Sequence, residues 1–166
     1  MRLFTLRRMR EAANCLRALS MEQLLKSASN PGLLFAPHVD GAQVAYVGPV
    51  NDSQKNELLG HSSALLMPIL WEEPFGIVMA EAMACGVPVL GFRRGAVSEV
   101  VEHGLTGFLA DDVSGLVNAV GRLGEIDRAS CRARVERLFS HTSVVDSYLR
   151  VYSEMLSARA PTNSRQ

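Results

Sequence analysis

The sequence predicts an α/β domain: a Rossmann-like parallel sheet with helices on both faces. Three observations point there. The chain has 166 residues, enough for one compact domain and too few for two of ordinary size. Hydrophobic residues make up 48% of it and charged ones 20%, a globular composition. A domain of this length buries roughly 70% of its unfolded surface and needs no disulfide or metal to hold it together. From residue 42 onward, short runs that are apolar throughout alternate with helical segments, as expected of parallel strands covered on both sides.

The elements follow in order. Residues 1–26 carry Arg2, Arg7, Arg8, Arg10, Arg17 and Lys26 against Glu11 and Glu22, a net charge of +4. Met9, Ala13, Leu16, Leu19 and Leu24 fall roughly on one side of a basic, amphipathic helix over about 7–27. Ser29-Asn30-Pro31-Gly32 breaks it, so residues 1–41 form a helical leader and linker ahead of a domain spanning 42–158. Gln43–Val47 is β-branched and apolar, a strand that exits at Gly48-Pro49. Asn51-Asp52-Ser53 offers N-cap oxygens for a helix from Gln54 to about Ser62. Ala64–Met67 is a second strand. Phe75–Cys85 forms a helix ended by Gly86, with Pro74 in its first turn, where a missing N–H does no harm. Pro88–Phe92 is a third strand, Val97–Glu102 a short helix, and Gly107–Leu109 a last strand. Val113–Leu123, Arg128–Phe139 and Thr142–Leu156 are helices, and residues 159–166 are a frayed tail.

Composition excludes several functions. Seventeen basic residues balance seventeen acidic ones, which argues against a sequence-independent grip on nucleic acid. Cys15, Cys85 and Cys131 are far apart and show no metal-ligand spacing, which fits free thiols in a reducing, cytoplasmic setting. No apolar run approaches the ~18 residues of a membrane span. No G-x-G-x-x-G follows a strand, which argues against a dinucleotide-dependent dehydrogenase. Arg122, Arg128, Arg132, Arg134 and Arg137, interleaved with acids, look like a solvated helix face, and Arg93-Arg94 like a solvated pair. Cys85 has no nearby His and fits a small core residue better than a nucleophile.

Chemistry concentrates between Leu70 and Gly107. Ligands of parallel sheets bind at the carboxyl ends of the strands, and the strand at Ala64–Met67 runs straight into Trp71–Gly76. The helix that starts there aims free N–H groups and its positive dipole end at the same crevice, a ready site for phosphate or diphosphate. Within Phe75–Cys85, Glu81 is the single ionisable carboxylate in an otherwise apolar helix, so it needs a partner. Glu73, at the helix N-cap, precedes it by eight residues. Two such carboxylates can each accept from a pair of vicinal hydroxyls. Simpler uses stay open: Glu73 as a helix cap, Glu81 as one half of an ion pair with a neighbouring helix.

Glu73-Pro-Phe-Gly-Ile-Val-Met-Ala-Glu81, followed by Ala82-Met-Ala-Cys-Gly-Val-Pro-Val-Leu90, resembles the E-x7-E block of retaining, GT-B-fold glycosyltransferases of the glycosyltransferase-4 family. Trp71-Glu72-Glu73-Pro74 is the typical lead-in. Gly95-Ala-Val-Ser-Glu99-Val-Val and His103-Gly-Leu-Thr-Gly-Phe-Leu109 look like two further family elements, in the right order. The resemblance covers about residues 43–156.

The resemblance implies roles. Glu73 is then the catalytic-centre acid that binds hydroxyls of the donor sugar. The backbone of Phe75, Gly76, Ile77 and Val78 lines sugar and diphosphate, and Glu81 takes the ribose hydroxyls. Val50, Asp52 and Lys55 match the loop beside the nucleobase. The donor substrate is a nucleoside diphosphate sugar, with no metal and no cofactor, and the acceptor is a sugar, lipid or small molecule. In the family this block is one half of a GT-B fold, so the chain is expected to supply the donor-binding half, with a separate N-terminal acceptor domain as its partner. The family's opening G-R-x-x-x-x-K-G segment does not occur. The alternative is a non-catalytic nucleotide-sugar-binding module or partner subunit derived from such an enzyme.

Overall fold

The computed structural model describes Arg2–Leu6 and Val44–Arg159. The basic helix expected over 7–27, the linker and the tail from 160 lie outside those residues. The described elements are β1 (Arg2–Leu6), β2 (Val44–Pro49), α1 (Asp52–Gly60), β3 (Leu65–Met67), α2 (Ile77–Ala84), β4 (Val89–Phe92), α3 (Val97–Val100), β5 (Gly107–Ala110), α4 (Val113–Gly121), a 3-10 turn (Leu123–Glu125), α5 (Arg128–Leu138) and α6 (His141–Arg159).

The centre is a three-stranded parallel sheet in the order β3-β4-β5, with Leu65 beside Val89 and Val89 beside Gly107. Successive strand residues point to opposite faces. Every residue of β4 and β5 is nevertheless buried, so both faces are covered, as the wholly apolar runs predict. β3 is an edge strand and only half-buried. The core joins Met79 and Met83 of α2, Val89, Leu90 and Phe92 of β4, and Leu116 and Val120 of α4. A smaller cluster of Leu59, Ala82 and Val87 seats α1 against α2. Among the described residues Thr106 is the buried polar one, and its hydroxyl accepts from the Glu102 N–H at 2.9 Å.

Several expectations change. The strand expected at Gln43–Val47 forms, but β2 pairs antiparallel with β1 and, among the described residues, does not join the parallel sheet. An apolar run shows that a strand exists without naming its partner. The motif helix begins at Ile77, two residues later than expected, because its N-cap Gly76 sits at φ 68°, in the left-handed region that no α-helix contains. That helix is not buried all round either: Ile77 is 68% exposed and Glu81 half-buried, while Met79, Ala80, Ala82 and Met83 face the core.

The arginine series is also more than a solvated face. Arg134, only 12% exposed, donates to the carbonyls of Glu99 and Val100 and to the Glu102 carboxylate, closing the end of α3. Arg128 donates to the carbonyls of Gly60 and Ser62 and so closes the end of α1. No helix among the described residues is long and apolar enough to cross a membrane.

Candidate functional site

The site grows from two helix starts. Asn51 caps α1 through a reciprocal box: its side chain accepts from the Gln54 N–H at 2.9 Å, and Gln54 accepts from the Asn51 N–H at 3.0 Å. That fixed first turn sets Asp52 and Lys55, three residues apart, on one side. Lys55 Nζ reaches Glu81 Oε1 of α2 at 2.6 Å and Asp52 Oδ1 at 3.1 Å. The hydrogen bond to Glu81, then that to Asp52, holds the Lys55 ammonium's pKa above its ordinary 10.5. The neighbouring-helix partner left open for Glu81 is therefore Lys55. Among the described residues, Glu81 Oε2 has no hydrogen-bond partner.

Asp52, Lys55 and Glu81 share an open groove of about 630 Å³ with Cys85 and Arg132. Two of the three residues expected beside the nucleobase thus meet the carboxylate expected to hold the ribose. Val50, half-buried just before the cap, is not among the groove's walls.

Glu73 has its own surroundings. It is not the helix cap, since Gly76 occupies that position without any side-chain hydrogen bond. Its Oε2 instead accepts from the indole N–H of Trp71 at 2.9 Å. Its carbonyl accepts from the Ala96 N–H at 2.8 Å, which ties the segment before α2 to the loop after β4. Gly95 makes that approach possible: at φ 49°, a Cβ there would overlap the Glu73 backbone. Glu72 strengthens the same clasp, accepting from the Gly95 N–H and standing 3.9 Å from Arg94.

A Cβ on Gly76 would lie 3.2 Å from Glu73 Cγ and 3.5 Å from the side-chain tip of Met67, the last residue of β3. Glu73 and Gly76 therefore stand at the carboxyl end of the sheet, as expected. The N–H groups of Gly76, Ile77 and Val78 make no backbone hydrogen bond among the described residues. The Phe75 ring turns away to meet Phe139 edge-on, with centroids 5.5 Å apart. Glu73 through Val78 are not walls of the Lys55–Glu81 groove; α2 links the two neighbourhoods.

Two residues of this region carry no signal of their own in the sequence: Trp71, which stands in the motif's lead-in, and Arg132, whose place in the groove follows from the packing of α5 on α2. Arg93 and Arg94 are exposed and face acids, Asp111 and Glu72, in keeping with a solvated pair.

The family model described as "Glycosyl transferases group 1" matches residues 23–125. N-acetyl-alpha-D-glucosaminyl L-malate synthase of Bacillus anthracis is 36% identical over 108 residues, 60% of this chain and 28% of that protein. D-inositol 3-phosphate glycosyltransferase of a Nocardioides species is 32% identical over 148 residues, 82% of this chain and 32% of that protein. Sucrose-phosphate synthase of Thermosynechococcus elongatus superposes with a TM-score of 0.64 at 27% identity, over 79% of this chain and 35% of that one. Anabaena Alr3699/HepE, solved in complex with UDP, superposes at 0.66 and 20% identity, over 88% and 44%. The chain spans about a third of the length of these curated relatives.

Proposed function

The chain belongs to the glycosyl transferases group 1 family, and from that premise we propose that it is the donor-binding half of a retaining glycosyltransferase. In this reading, a sugar passes from a nucleoside diphosphate sugar to an acceptor hydroxyl. Glu81 accepts the ribose hydroxyls, Glu73 the hydroxyls of the sugar, and Lys55 and Asp52 flank the nucleobase. One observation carries the reading. Each carboxylate has one oxygen engaged by the protein, Glu73 by Trp71 and Glu81 by Lys55, while the other has no hydrogen-bond partner among the described residues. An anchored carboxylate with a spare acceptor oxygen suits a hydroxyl ligand.

The chemical step follows from the start of α2. As the glycosidic bond to the diphosphate breaks, positive charge builds at the sugar's anomeric carbon and negative charge on the leaving group. The N–H groups of Gly76, Ile77 and Val78, with the positive end of the helix dipole, receive that leaving charge. The glycine at the cap supplies the φ of 68° with which the chain enters that helix. A separate domain would bring the acceptor, and the unpaired thiols Cys85 and Cys131 suit a cytoplasmic setting.

Calorimetric titration of the full chain with UDP- and GDP-sugars tests this reading. Saturable binding is expected, weakened about tenfold or more in Glu81→Ala by loss of hydrogen bonds to a charged group. No saturable heat at millimolar ligand would remove donor binding from this chain.

A further inference from the structure

Trp71 is 48% exposed, on the loop that follows β3 at the sheet's carboxyl rim. A half-exposed indole is an unusual thing to spend on a surface loop unless its polar edge or its ring is used. Here the edge is used: its N–H donates to Glu73 Oε2 at 2.9 Å across only one intervening residue. The backbone around this pair is also fixed. The Ala96 N–H holds the Glu73 carbonyl, and a Cβ on Gly76 would lie 3.2 Å from Glu73 Cγ. Among the described residues no other group donates a hydrogen bond to the Glu73 carboxylate. Without the indole, that carboxylate is free to turn into solvent.

We propose that Trp71 is the positioning residue for Glu73, holding Oε2 so that Oε1 is presented to the sugar of the donor. The inference rests on the donor-binding reading above and deepens it. Its action is selective by construction, since it bears on the carboxylate that meets the sugar and not on Glu81, which meets the nucleoside. The half-exposed ring adds an apolar face at the same rim, against which a sugar's own C–H face can pack.

The test uses the full chain and two ligands of each base, the nucleoside diphosphate and its sugar ester: UDP with a panel of UDP-sugars, and GDP with a panel of GDP-sugars. Trp71 is the sole tryptophan of the sequence, so tryptophan emission reports this one position. Emission of the native chain is expected to change on adding a nucleotide sugar and to stay unchanged with the nucleoside diphosphate. In Trp71→Phe, calorimetry is expected to show about tenfold weaker binding of the nucleotide sugar, the loss typical of one hydrogen bond to a charged group, with the nucleoside diphosphate unaffected. Equal weakening of both ligands, no weakening of either, or an emission that ignores the sugar would overturn the role of Trp71. If the native chain binds both ligands with Glu81-dependent affinity in those cases, the donor-binding reading survives and only this inference falls. If the native chain binds neither ligand, both fall together.

Discussion

Lys55 Nζ lies 2.6 Å from Glu81 Oε1, a contact that joins the first turn of α1 to the middle of α2. It has a pH signature. The pair raises the Lys55 pKa in the folded state above 10.5, the ordinary value expected in the unfolded chain. Its contribution to stability is therefore complete below pH 10.5 and is lost as pH rises through the higher folded value. Urea melts of the native chain should show that alkaline loss, and those of Lys55→Met should lack it. Parallel alkaline loss in both proteins would mean that the pair adds nothing.

Gly95 should tolerate no side chain. Alanine there must adopt φ near 49° and push on the Glu73 backbone at once. Gly95→Ala is expected to lose more than about 1 kcal/mol of stability and to weaken nucleotide-sugar binding as the Glu73 segment shifts. Thermal melts and titrations check both effects, and a native Tm with native affinity would contradict the clasp.

Arginines of one helix should differ sharply. Arg134→Ala leaves the carbonyls of Glu99 and Val100 without their donor and is expected to lose about 2–3 kcal/mol. Arg132, 65% exposed and paired among the described residues with Glu136, should change stability by no more than about 0.5 kcal/mol when truncated. Denaturant unfolding of the two variants side by side measures the difference.

Thiol reactivity should separate two cysteines. Burial pushes the Cys131 thiol up to about 11, so it is both covered and protonated at neutral pH. Cys85 is half-buried and lines the groove beside Glu81. Alkylation read by peptide mass spectrometry is expected to modify Cys85 in the native chain and Cys131 only after unfolding. A bound nucleotide should slow modification of Cys85; undiminished labelling at saturation would place the ligand elsewhere.

Much of this fold is legible in the sequence. The apolar runs expected at 64–67, 88–92 and 107–109 become the three parallel strands β3, β4 and β5, because wholly apolar strands must be covered on both faces. The N-cap ahead of α1 is legible too, since Asn51 and Gln54 carry the atoms of a capping box. The start of α2 lies two residues beyond the one that the sequence suggests. Pro74 is a good first-turn residue, but Gly76 takes a left-handed conformation that residue type permits without announcing. The apolar Ile77 gave no sign that its face of α2 stays open. Asp52, Lys55 and Glu81 each stood out, but their meeting depends on how α1 packs on α2 through Leu59, Ala82 and Val87. Arg134 looked like its solvated neighbours because charge patterning ignores which carbonyls a helix end leaves unpaired.

Heteronuclear NMR titration of the isotope-labelled chain with a nucleotide sugar tests donor binding most directly, since it reports where the ligand sits as well as whether it binds. Amide shifts are expected to concentrate at Asp52–Lys55 and at Phe75–Glu81, and to fade at the first group in Lys55→Met and at the second in Glu73→Ala. Shifts confined to other elements such as α6, or no shifts at millimolar ligand, would contradict a donor site built on Glu73, Glu81 and the start of α2.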